Sequence, residues 1–89
     1  MRAVVSVIGK DMVGILAGVS AVCAESNMNI TDVTQSILQD LFVMIMLVEC
    51  TEKSIPLADF SARMTELGNE KGLDIRVMHE DIFNCMHKI

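Results

Sequence analysis

An α+β sandwich in the order βαββαβ, closed by a short C-terminal helix, is the fold class this sequence predicts. Two runs, Arg2–Ile8 and Leu41–Cys50, are apolar on both faces, and two others, Ile30–Leu38 and Leu73–His79, carry polar residues along their length. Between them lie two stretches with helical apolar spacing. Strands that are apolar on both faces belong inside a sheet, and polar ones belong at its edges.

Arg2–Ile8 is rich in Val and stops at Gly9, so it reads as a strand. Met12–Ser26 follows as a helix, with Asp11 where an N-cap would stand and with Ile15, Leu16, Val19, Val22 and Cys23 on one face. Its other face, Gly14, Ala17, Ser20, Ala21 and Ala24, is small and uncharged. Asn27-Met28-Asn29 is a turn signal before the strand Ile30–Leu38. In that strand Ile30, Val33 and Ile37 do not share one parity, which predicts a bulge or strong twist near Asp32. Gln39-Asp40 makes a hairpin turn into Leu41–Cys50, whose eight consecutive apolar residues fit a strand covered on both sides.

Ser54 is placed to cap a second helix with Pro56 in its first turn, a stripe of Leu57, Phe60, Met64 and Leu67, and Gly72 at its end. Leu73, Ile75 and Val77 then alternate with Asp74, Arg76 and Met78 in a last strand. Glu80–Ile89 closes as a short amphipathic helix with Ile82, Phe83, Met86 and Ile89 on its apolar side. The pattern is that of a four-stranded antiparallel sheet in order 4-1-3-2, the ferredoxin-like arrangement. Two helices cover one face, so apolar residues on the other need the terminal helix or a partner chain.

At 89 residues the chain is expected to form one domain, residues 1–89. A domain this small buries roughly 60% of its unfolded surface, yet 52% of its residues are hydrophobic. That excess predicts a partner surface, most simply a second copy, giving a homo-oligomer and in the first instance a dimer. A formal net charge of −5 and scattered basic residues argue against nucleic acid. The aromatic residues are Phe42, Phe60 and Phe83, with no stacking platform for bases. The apolar runs are too short for a signal segment or a membrane span, so no membrane association is expected and a soluble, cytoplasmic protein is the default. Cys23, Cys50 and Cys85 lack zinc or redox spacing and read as small buried hydrophobes in a reducing compartment.

The chemistry centres on Gly9-Lys10-Asp11-Met12-Val13-Gly14-Ile15-Leu16, the passage from first strand to first helix. Free backbone N–H groups at the start of that helix would suit a carboxylate. Asn29 could add a side-chain hydrogen bond, and Asp11 could receive an ammonium group. Spacing alone favours the plainer reading, in which Asp11 caps its helix, Gly9 and Gly14 serve the turn and Asn29 is a turn residue.

This motif, followed by Asn29-Ile30 at the opening of the second strand, resembles the ACT-domain family of small regulatory modules over nearly the whole chain. It is most similar to stand-alone single-ACT proteins of the glycine-cleavage-repressor-like UPF0237 group. The resemblance implies an amino acid or related metabolite held between two copies, against the first loop and the Asn of the second strand. Carried over by position, that role falls on Asp11, Met12, Val13, Gly14, Ile15, Leu16, Asn29 and Ile30. No catalytic residue, metal or cofactor is implied. Regulation would act on a separate protein, because 89 residues hold no second domain.

Other readings stay beside this one. A constitutive protein-interaction module would need no ligand. Acylphosphatases share the fold but use an Arg in the first loop, where this chain has Lys10. His79, Cys85 and His87 cluster near the C-terminus without a standard metal spacing. Met44, Met46, Met78 and Met86 could form an adaptable surface, but core filling is the simpler reading.

Overall fold

A computed structural model describes residues 1–10 and 14–86 of the chain. Its elements are β1 (Arg2–Gly9), α1 (Ile15–Glu25), β2 (Met28–Leu38), β3 (Leu41–Cys50), α2 (Leu57–Lys71), β4 (Asp74–His79) and α3 (Glu80–Met86). The sheet order is β2-β3-β1-β4, every neighbouring pair antiparallel. This is the expected ferredoxin-like sheet, with the two apolar strands inside and the polar ones at the edges.

Strand alternation sorts the sheet into two faces. On the helix-covered face Ala3, Val5 and Val7 meet Val48, Met46 and Met44 across the β1–β3 ladder, and Ile15, Val19, Cys23, Phe60 and Met64 pack down from α1 and α2. Met44 and Met46 are fully buried there, as core filling predicts. In β2 the register shifts between Ile30 and Asp32, so Thr31 stands outside the pairing. The broken parity of Ile30, Val33 and Ile37 has this cause. With the extra residue, Ile30, Val33 and Ile37 all pair with residues of the covered face, namely Val48, Met46 and Phe42.

The opposite face holds Arg2, Val4, Ser6 and Ile8 of β1 beside Leu41, Val43, Ile45 and Leu47 of β3. α3 packs on β1 and β4 at one end of this face. Val4 is only 4% exposed, although it lies on the side away from α1 and α2. Arg2 holds α3 in place: its Nε donates to Glu80 Oε2 at 2.8 Å and its Nη2 to Glu80 Oε1 at 2.6 Å. The helix opens with the Asp81 backbone N–H donating to His79 Nδ1 at 3.0 Å.

Several boundaries differ from those the sequence suggests. α1 begins at Ile15 rather than near Met12, because Gly14 takes the left-handed conformation (φ 74°) as its N-cap. The expected cap, Asp11, lies outside the described residues. β2 begins at Met28, two residues early, because the turn is made by Ser26 and by Asn27 at φ 58°. Pro56, not Ser54, is the N-cap of α2, and no side chain caps that helix. Ser54 instead donates its hydroxyl to the Asn27 carbonyl at 2.6 Å and accepts the Thr51 N–H at 2.8 Å, tying the α1–β2 turn to the loop after β3.

On α3, Ile82 is 56% exposed, so the predicted apolar side is not wholly buried. Of the cysteines only Cys23 is fully buried; Cys50 is half-buried and Cys85 exposed, and all three are free thiols. Burial among apolar neighbours pushes the Cys23 thiol up to about 11 from 9.0.

Candidate functional site

The first loop leaves the sheet where β1 ends. Gly9 pairs with Phe42, and Phe42 pairs with Ile37, so Gly9 and Lys10 stand beside the β2–β3 hairpin. Lys10 is exposed there. With Ile37, Gln39, Asp40, Leu41 and Phe42 it lines a cleft of about 220 Å³. The cleft joins an apolar floor to an ammonium, a carboxylate and an amide. That chemistry suits a small molecule with both charged and apolar parts.

Past the loop, Gly14 has positive φ and nothing stands within 4 Å of where a Cβ would lie. Its carbonyl accepts the Gly18 N–H at 2.9 Å, the first hydrogen bond of α1. The amides of Ile15, Leu16 and Ala17 precede that bond and are the free donors of a helix N-terminus. Ile15 turns its side chain into the core at 2% exposure, while Leu16 stays 43% exposed beside the loop. Only the backbone of Ile15 is therefore free to meet a ligand.

Asn29 and Ile30 stand elsewhere. Asn29 pairs with Glu49, and Glu49 with Arg2, so Asn29 is level with the start of β1. Gly9 lies seven residues further along that strand, about 23 Å at the usual rise. The residues expected to share a site are therefore divided within one chain. Gly14, Ile15 and Leu16 lie at one end of the sheet, and Asn29 and the 40%-exposed Ile30 at the other. Asp11, Met12 and Val13 lie outside the described residues. The contribution of Lys10 and the hairpin residues carried no sequence signal, since Gln39-Asp40 reads only as a turn.

Other candidates gather less. Among the described residues no three His, Cys, Asp or Glu side chains converge as a metal site would require; His87 lies outside them. A second cleft, about 290 Å³, lies between α1 and α2, with Val22 and Leu67 as floor and Glu25, Arg63, Glu66 and Glu70 around it. No helix among the described residues is long and apolar enough to cross a membrane.

The ACT domain family model matches residues 2–78, from β1 through the penultimate residue of β4. The chain belongs to the ACT domain family. It is 46% identical over 88 residues to a UPF0237 protein of Methanopyrus kandleri, across 99% of this chain and 98% of that one. Among solved structures it resembles an ACT domain protein from Streptococcus pneumoniae, with a TM-score of 0.82, 31% identity and 93% of each chain covered. A candidate glycine cleavage system transcriptional repressor shares the fold at a TM-score of 0.67 and 20% identity, over 89% of this chain and 47% of that one. The extra helix α3 lies beyond the part that the family model matches.

Proposed function

We propose that this ACT domain is a regulatory ligand-binding module. It would sense an amino acid or related metabolite at a site shared between two copies and pass the change to a separate protein. The observation that carries this reading is the division of the expected site. Asn29 and the first loop stand about 23 Å apart along the sheet. A second copy running its β2 antiparallel to the first copy's β2 would bring Asn29 of one chain level with Ile37 and Gly9 of the other. The open edge of β2, eleven residues long, supports such pairing.

In this arrangement a ligand carboxylate takes the free amides after Gly14. Asn29 of the other copy adds a hydrogen bond, Leu16 and Ile30 give apolar contact, and Asp11 receives the ammonium. Met12 and Val13 are the remaining positions that the family resemblance assigns to the ligand. Asp40 and Lys10 at the neighbouring cleft set the charge around it. The name of the solved repressor-like neighbour gives the regulatory reading a direction, control of amino-acid metabolism through a partner. Three free thiols suit a cytoplasmic location.

Thermal melting of the whole chain against each of the twenty amino acids and common nucleotides tests the proposal. A ligand that binds only the folded state raises the melting temperature, and Asn29→Ala should abolish that rise. No shift at millimolar ligand would favour a constitutive interaction module, a reading the exposed apolar residues of β3 also support.

A further inference from the structure

We propose that the groove between α1 and α2 is a docking site for a basic amphipathic helix of a different protein. It stands apart from the ligand site, which the preceding reading places at the start of α1 and the β2 edge. The groove lies on the outer side of the helix layer, toward the other end of α1. Val22 and Leu67 form its apolar floor, both half-buried and packed on the core. Glu25, Glu66 and Glu70 stand around that floor with one cation, Arg63. All four charged side chains belong to exposed residues, and among the described residues none of them is in an ion pair. Glu66 and Glu70 are one helical turn apart, a like-charge spacing that costs the helix stability. A cation brought in from outside offsets that cost.

The surface of α1 beside the groove is prepared for close approach. The helix carries no charge before Glu25. Ala17, Ala21 and Ala24 are exposed on it. A helix apolar all round is ordinarily a buried one, and small side chains let a neighbouring helix pack near. At the Gly18 end the groove is closed: a Cβ there would meet Lys71 Cε at 3.5 Å and Leu67 Cδ1 at 3.6 Å. Its volume is about 290 Å³, at the foot of the ~300–1,000 Å³ range of pockets that enclose a metabolite. It suits one long side chain better. An arginine lays its methylene stem on Val22 and Leu67 and turns its guanidinium to the Glu66 and Glu70 carboxylates. Arg63 then favours an acidic residue next to that arginine and opposes an unbroken run of cations.

Charge selects a different protein as the occupant. Each helix of this chain, over its described residues, holds more acidic than basic side chains, so a second copy has no helix to offer. Nucleic acid and anionic lipid meet the same three carboxylates and are repelled. α1 is eleven residues long, about 16 Å, and two helices side by side span about 20 Å, which outlines a face of roughly 300 Å². That is well under the ~800 Å² each partner gives to a stable complex and matches a reversible contact.

The test titrates the whole chain with a labelled peptide of leucine and alanine bearing arginines along one helical side, and with the same residues in scrambled order. The ordered peptide should bind with a Kd of about 10–100 μM and the scrambled one about tenfold more weakly. NMR shifts should gather on α1 and α2 around Val22 and Leu67. Glu66→Lys and Glu70→Lys, at exposed positions that leave the core untouched, should each weaken binding about tenfold. Asp81→Lys, the same change of charge on exposed α3 across the sheet, should leave it as in the wild type. Equal binding of the two peptides, shifts confined to the sheet, or an Asp81→Lys loss equal to that of Glu66→Lys overturns the proposal. Peptide binding lost in Glu66→Lys while an amino acid still raises that variant's melting temperature supports it. Peptide binding where no amino acid ever shifts the melting temperature supports it and discards the ligand reading. No peptide binding where an amino acid does raise the melting temperature overturns it and leaves the ligand reading standing.

Discussion

Arg2 and Glu80 join the two ends of the fold: a two-pronged guanidinium–carboxylate contact, 2.8 and 2.6 Å, links β1 to the first residue of α3. A seven-residue helix is too short to hold itself in water. Its place against β1 and β4 depends on such docking.

Arg2→Ala should therefore loosen α3 more than the domain. The Arg2 side chain is 48% exposed and that of Glu80 24%, so the global cost is expected to be about 0.5–1 kcal/mol. Amide exchange should show protection lost in α3 and around Val4 first. High salt should have the same direction of effect in the wild type. Unchanged exchange in α3 would mean that apolar packing alone holds it.

Two glycines should respond to alanine for different reasons. A Cβ on Gly68 would lie 2.7 Å from the Leu73 carbonyl oxygen and 3.3 Å from Ile75, where α2 closes on β4. Gly68→Ala should cost about 1–3 kcal/mol in urea unfolding as the strand is pushed away. Gly14→Ala meets only the strain of its left-handed backbone, about 1 kcal/mol. In the proposed function it should disturb ligand response more than stability.

Cys23 links stability to alkaline pH. Its thiol is raised to about 11 in the fold against 9.0 in the open chain. Below pH 9 both states hold the proton and the shift contributes nothing. Between about pH 9 and 11 the unfolded chain loses it and the folded chain does not, so stability falls by up to about 1.4 kcal/mol per pH unit. Cys23→Ala should remove this component of the alkaline slope, measured by denaturant unfolding at stepped pH. At pH 8 a thiol reagent should modify exposed Cys85 in the native protein and reach Cys23 only on unfolding.

Ser26 is fully buried, and its hydroxyl has no hydrogen-bond partner among the described residues. Its backbone carbonyl accepts the Ile55 N–H at 3.2 Å, so the backbone, not the hydroxyl, makes the useful bond. Ser26→Ala should leave stability unchanged or raise it by about 1 kcal/mol in thermal melting. A clear loss would reveal a partner for the hydroxyl, such as a buried water.

The sheet was largely legible in the sequence because each strand's burial is written in its own residues. Leu41–Val48 is apolar on both sides, which places it inside the sheet, and the conflicting parity of Ile30 and Val33 already encodes the bulge. The capping details were not legible. Asp11 and Ser54 are good cap residues, but the choice among neighbours is made by tertiary contacts. Gly14 sets where α1 starts, and Ser54 is drawn instead to the Asn27 carbonyl. The separation of Asn29 from the first loop was implicit in the strand order. It emerges only when the directions of β1 and β2 are followed along the ladders, since both run the same way with β3 between them.

That separation has a consequence for dose. In the proposed function, a monomer holding the loop at one end and Asn29 at the other would carry two incomplete halves of a receptor. Ligand would then read the abundance of the protein as well as its own, its apparent affinity rising as the chain becomes more plentiful. By the same coupling, ligand would draw dilute chains together.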